Sequence, residues 1–219
     1  MRKTQFEGLV QKLLPRLPGY SVSGWLLHRS PADGVLLGFC CDPSGIDPDH
    51  FALVAFALPL FMPLPGGFHL NFGRRLRDGE GREIRWNRHG ADLDTSLLPA
   101  IQRADADFFH HHLAQGDPAT LLRSLGESTD PYLSEALAFC HARAGRPFPA
   151  RQAIRALSRS RDPSIHWHNA MATRLATLDT LLDADPMELA PRMKQWVESN
   201  QSDLGLPLTS QPIPDMRSI

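Results

Sequence analysis

The 219-residue chain has little cysteine, little lysine and no long apolar run, and each shortage excludes something. Its three cysteines are Cys40 and Cys41, adjacent at the end of an apolar stretch, and Cys140. That is no disulfide framework, and no C-x-x-C spacing offers a structural zinc site. The most apolar stretch, residues 51–65, is shorter than the ~20 residues a membrane helix needs, and Pro59, Pro63 and Pro65 interrupt it. Near the N-terminus Phe6, Leu9, Val10, Leu13 and Leu14 recur at helical spacing between polar residues, which marks an amphipathic helix and not a signal-peptide core. A reduced, cytoplasmic setting without membrane contact is the expectation.

Reaction motifs are missing too. There is no G-x-S-x-G nucleophile elbow. Pro65-Gly66-Gly67 and Gly79-Glu80-Gly81 lack both the Walker lysine and the Rossmann spacing, so they read as turns. No segment repeats at a fixed period, which argues against a solenoid. No cofactor is implied, and no catalytic residue is assigned.

What is present is a composition that builds a core: 42% hydrophobic and 21% charged residues, with a net charge of −1. That balance argues against a protein made chiefly to coat nucleic acid. After the first helix, Pro15 and Pro18-Gly19 break the pattern, and residues 20–29 read as one strand with its alternation blurred at Trp25-Leu26-Leu27. Pro31-Ala32-Asp33-Gly34 is turn chemistry linking it to a second strand at 35–41. Residues 51–62 form a near-continuous apolar strand, as expected for one covered on both faces. Phe68, Leu70, Phe72 and Leu76 alternate in a further strand, with a bulge expected at Gly73, and residues 83–87 make a short last one.

From about Asp94 the apolar period changes from two to 3.6, beginning with a helix over residues 96–115. Asp117-Pro118, Asp130-Pro131, Asp162-Pro163 and Asp185-Pro186 each combine an N-cap carboxylate with proline at the first helical position, so each is read as a helix start. Apolar stripes follow at Leu133/Leu137/Cys140/Ala144, Ala150/Ile154/Leu157, Trp167/Met171/Leu175/Leu178/Leu182 and Leu189/Met193/Trp196/Val197. The expected fold is α+β: an N-terminal helix and an antiparallel meander of about five strands, then a bundle of five or six helices. The expected organisation is 1–90 as helix plus sheet, 91–203 as a helical region sharing its core, and 204–219 as an extended tail.

Ten histidines invite metal or acid–base readings. His110, His111 and His112 are consecutive and diverge on a helix, so they cannot converge on one ion. Asp107 and His111, four apart, share a face and define a candidate metal-assisted hydrolase centre, weighed against a solvated helix face. His166 and His168 flank Trp167 at a spacing poor for chelation, which favours a structural or partner-contact role.

Charge layout says more. Residues 92–135 hold eight acids against Arg103 and Arg123, a net of −6, and residues 142–177 hold seven arginines against Asp162, a net of +6. Arg151, Arg155 and Arg159 recur every four residues, a ridge opposite Ile154 and Leu157. A second cluster contains Arg74, Arg75 and Arg77 with Arg82, Arg85 and Arg88. Solubility explains such faces in part; complementary partner surfaces are the functional reading. Nucleic acid is the alternative partner for the same arginines, although no recognised module accompanies them.

Three segments resemble bacterial α+β proteins of the immunity type that accompany toxin systems. They are FALVAFALPLFMP at 51–63 running into HLNFGRRL at 69–76, YLSEALA at 132–138, and Trp196 followed by LGL at 204–206. The resemblance carries no catalytic motif and transfers no functional residue. It implies a non-enzymatic protein that neutralises or regulates a cognate effector by occupying it.

Overall fold

The computed structural model describes residues 1–64, 70–91, 93–110, 116–126, 130–183 and 186–207. The sequence readings at Pro65, Gly66, Gly67, Phe68, His69, Asp92, His111, His112, Glu127, Asp185 and beyond residue 207 lie outside them. Helix α1 (Lys3–Gln11) and a 3₁₀ turn (Leu14–Arg16) lead into strands β1 (Tyr20–Ser23), β2 (Leu26–Arg29), β3 (Val35–Pro43), β4 (His50–Pro59), β5 (Gly73–Arg75) and β6 (Trp86–Asn87). Six α-helices follow among the described residues: α2 (Leu93–Ala104), continued by a π-helical segment (Asp105–His110), α3 (Pro118–Leu125), α4 (Pro131–Arg143), α5 (Pro147–Arg159), α6 (His166–Asp183) and α7 (Pro186–Asp203). The class is α+β, in the element order the sequence implies.

The chain divides into two compact units. The first holds Met1–Ala32, Leu36–Leu58 and Phe72–Asp117; the second holds Asp33–Val35 with the described parts of Pro59–Asn71 and Pro118–Ile219. Helix α2 and its π-helical continuation therefore belong with the strands, and the second unit's helices begin at Pro118.

In the first unit the strands run β1-β2-β3-β4-β5, and β6 also pairs with β4. Residues 20–29 are two strands, not the single one their composition suggested. Gly24, at φ +62°, turns the chain so that Ser23 faces Leu26 and Tyr20 faces Arg29. The Asp33-Gly34 link does join β2 to β3, with Leu26 opposite Cys40 and His28 opposite Gly38. Strand β4 is buried at every position after His50. Along one of its sides lie β5 (Val54 opposite Arg75, Phe56 opposite Gly73) and β6 (Phe51 opposite Trp86). The register runs unbroken through Gly73, so no bulge forms there. Strand β5 is only three residues long, and Glu83 makes an isolated bridge to Arg77 before β6 begins.

Aromatic side chains fill this unit's core. Phe51 meets Phe6 of α1 at 6.4 Å between ring centroids and stacks on Trp86 at 5.8 Å. Phe39 meets Phe109 of the π-helical segment edge-on at 5.4 Å. Two polar anchors add direction: Trp86 Nε1 donates to Ser96 Oγ at 3.1 Å, and Asp105 accepts from Tyr20 Oη at 2.6 Å and Arg29 Nη2 at 2.6 Å.

The second unit is organised around α4, which packs against α3, α5, α6 and α7. Asp130 caps it by accepting from Tyr132 N–H at 2.9 Å, with Pro131 in the first turn. Its far end closes in a Schellman motif: Gly145 is at φ +66°, Arg146 N–H donates to His141 C=O at 2.9 Å, and Gly145 N–H donates to Ala142 C=O at 3.0 Å. Leu133, Ala136, Ala138, Phe139, Cys140 and Ala142 are buried around most of the helix, and Ala144 of the expected stripe is exposed. Small alanines let neighbours approach from several sides, which an amphipathic stripe cannot satisfy. Within the same unit, Asn200 Nδ2 donates to the carbonyls of Leu60 (2.7 Å) and Met62 (2.8 Å). The segment leaving β4 is thereby pinned to α7.

Asp117-Pro118 and Asp130-Pro131 mark helix starts, and α7 is described from Pro186 onward. At Asp162-Pro163 the helix starts later, at His166, because the Asp162 carboxylate accepts from Ser164 N–H (2.9 Å) and Oγ (2.7 Å) and holds a turn instead. Residues 204–207 form the cap of α7, with Gly205 at φ +65° and Leu206 N–H bonded to Gln201 C=O at 2.8 Å.

Candidate functional site

Helix α5 carries part of the free charge of the second unit, where Arg123 and Arg146 are also exposed. It buries Ala150 and Ile154 and turns its opposite side to solvent. The arginine ridge divides there. Arg151 is half-buried and committed within the unit: it bonds Asp183, donates to Leu182 C=O at 3.0 Å, and lies 3.6 Å from Asp179 of α6. Arg155 and Arg159 are exposed and make no hydrogen bond or ion pair among the described residues. Phe148 lies on the same face, seven residues before Arg155 and eleven before Arg159, and is 69% exposed. A large aromatic side chain in water, aligned with two uncommitted guanidiniums, is the composition of an interface anchor.

The other arginines of this unit are largely engaged. Arg174 forms a two-point bond with Glu135, at 2.7 and 2.8 Å. Arg143 lies 4.9 Å above the Phe61 ring and bonds Asp33. Arg161 donates to Asn169. The +6 excess of the sequence is thus reduced, on the folded surface, to a small number of free cations.

The cluster at the sheet belongs to the first unit and divides in the same way. Arg75 is paired with Asp42 (2.5 Å) and Glu83 (3.0 Å), Arg82 with Asp78 and Glu80 (both 2.9 Å), and Arg88 with Asp49 (2.6 Å). Arg77 donates to Gly81 C=O at 3.3 Å. Arg74 is exposed and, with Arg77 and Arg103, rims a pocket of about 130 Å³ floored by Leu76, Ile84 and Ala104. Asp107 lies on that rim, but His111, its expected partner for a metal, is outside the described residues. Among the described residues no group of three or more His, Cys, Asp or Glu side chains is placed to hold an ion.

All three thiols are free and buried. Burial pushes Cys40 up to about 12 and raises Cys41 as well, so neither is a thiolate near neutral pH. No described helix is long and apolar enough to cross a membrane.

Phe148 escaped the sequence reading because the stripe Ala150/Ile154/Leu157 already accounted for the apolar side of that helix. The signal was available: residue 148 is in phase with 155 and 159, and out of phase with 154. No family model matches the chain, and neither does any curated protein or solved structure.

Proposed function

We propose that this chain is a non-enzymatic binding protein that acts by docking another protein on the solvent face of α5. The observation that carries the reading is Phe148, 69% exposed, in line with Arg155 and Arg159, which have no partner among the described residues. Aromatic and arginine side chains are enriched at interface hot spots, and unpaired cations steer an acidic partner toward the face. The partner chemistry is an acidic surface with an apolar socket for the Phe148 ring. Arg74, Arg77 and Arg103 around their own pocket form a second candidate contact of the same chemistry in the other unit. The biological form implied by the resemblance is neutralisation of a cognate effector in the cytoplasm.

Affinity capture with wild-type protein and with the Arg155→Glu/Arg159→Glu variant tests this. The expected result is a stoichiometric acidic protein held by the wild type, released by salt and lost from the variant. The variant's unfolding free energy should stay within the small range of surface substitutions, about ±0.5 kcal/mol. Retention of nucleic acid with a steep salt dependence would instead establish the alternative partner for these arginines. Equal capture by both proteins would remove the α5 face from the account.

A further inference from the structure

The corner where α5 ends and α6 begins holds a pocket of about 300 Å³, the lower end of the range for small-molecule sites. Leu157, Trp167, Met171 and Leu175 make its walls, and no aspartate or glutamate lines it. Its two ionisable groups are Arg161 and His168, and neighbouring residues hold both in place. Arg161 Nε and Nη2 donate to Asn169 Oδ1 at 3.2 and 2.5 Å, which fixes the guanidinium plane and leaves Nη1 uncommitted. His168 Nδ1 lies 2.8 Å from Asp162 N and 3.2 Å from Asp162 O; with Nδ1 accepting the shorter bond, Nε2 is the ring's donor. The His168 ring is packed edge-on against Trp167, 3.9 Å between centroids, and Trp167 stacks on Tyr132 at 5.1 Å. The nearest acid in sequence, Asp162, turns its carboxylate to Ser164 N–H and Oγ while remaining within electrostatic reach of His168, and it does not line the pocket.

We infer that this pocket binds a small hydrophobic carboxylate, its apolar body between Leu157, Trp167, Met171 and Leu175 and its carboxylate held by Arg161 and His168. Apolar walls remove water from the covered part of the ligand's body, and two donors beside them recognise an anion and leave a cation unfavoured. The site uses neither Phe148 nor Arg155 nor Arg159, so it stands or falls independently of the protein-docking face.

The test is a titration of the full chain, ¹³C-methyl-labelled at its six methionines, with 2-naphthoate and with the uncharged 2-naphthalenemethanol. The expected result is a saturable shift of the Met171 methyl with 2-naphthoate, about tenfold tighter than with the alcohol, as loss of one charge-assisted bond predicts. Arg161→Gln should weaken the carboxylate about tenfold and leave the alcohol unchanged, and Ala172→Phe, which fills the cavity, should abolish the shift. No saturable change at Met171 would overturn the proposal. So would binding unaffected by Ala172→Phe, or acid and alcohol binding with equal affinity. Arg161 is exposed, so its variant keeps the fold and decides the question even if Ala172→Phe does not.

Discussion

Glu135 is fully buried on α4 and pairs with Arg174 of α6, 10% exposed in its side chain. Burial raises the Glu135 carboxyl above the ordinary carboxylate range, and the two bonds from Arg174 work against that rise. Breaking such a pair from one side strands a charge, whereas replacing both partners removes the desolvation cost as well. Arg174→Leu should therefore cost about 3–5 kcal/mol in urea unfolding, and Glu135→Leu/Arg174→Leu should recover most of that loss. A double variant no better than the single one would contradict this. His28 is a second buried titratable group, 4% exposed on β2. Burial lowers its imidazole below 6.5, outweighing the opposing bond to Arg29 C=O. The unfolded chain takes up this proton as pH falls through 6.5, but the folded one does so only at lower pH. The stability present above 6.5 is lost as pH falls through the lowered folded value. Urea midpoints between about pH 7.5 and pH 5 should fall less for His28→Gln than for the wild type. Parallel profiles would show that His28 does not carry this dependence.

The elements show where local sequence suffices. Helix α4 starts at Asp130-Pro131 and ends at Gly145 because caps act through the residue's own backbone and a neighbour, and composition reports them directly. Gly145 has open space where a Cβ would sit, so Gly145→Ala tests the left-handed backbone alone. It should cost about 1 kcal/mol in thermal or urea unfolding. Gly38→Ala is a different case: its Cβ would lie 2.3 Å from the Leu27 carbonyl oxygen and 2.8 Å from His28 Cα, both backbone atoms. The β2–β3 pair would have to separate, and the loss should exceed that at Gly145; an equal or smaller loss would contradict the close approach. Long-range pairing is what the sequence leaves out. The split of residues 20–29 was signalled only by a blurred alternation, because Gly24 sets a turn whose value depends on Tyr20 meeting Arg29 across it. The stripe expected on α4 accounts for Leu133 and Cys140 but not Ala144, because burial from four neighbouring helices leaves no single apolar face. The candidate site was half legible. Spacing placed Arg155 and Arg159 on one side of α5, but not the capture of Arg151 by Asp179 and Asp183, nor that of Arg75 by Asp42 and Glu83.

For the molecule as a whole, a net charge of −1 conceals basic and acidic blocks, and folding consumes much of both in internal pairs. What remains on α5 is an exposed aromatic ring in line with two exposed arginines, and on the proposed reading the ring would supply contact area and the arginines steering. The most direct test of that claim compares wild-type, Phe148→Ala and Arg155→Glu/Arg159→Glu proteins for affinity to the captured partner across a salt series. The account predicts that Phe148→Ala weakens binding by about 2 kcal/mol, about thirtyfold in Kd, mainly through faster dissociation. It predicts that the charge-reversed protein associates more slowly and loses the salt dependence of the wild type. Affinity and salt dependence unchanged in both variants, with all three proteins equally stable, would contradict it.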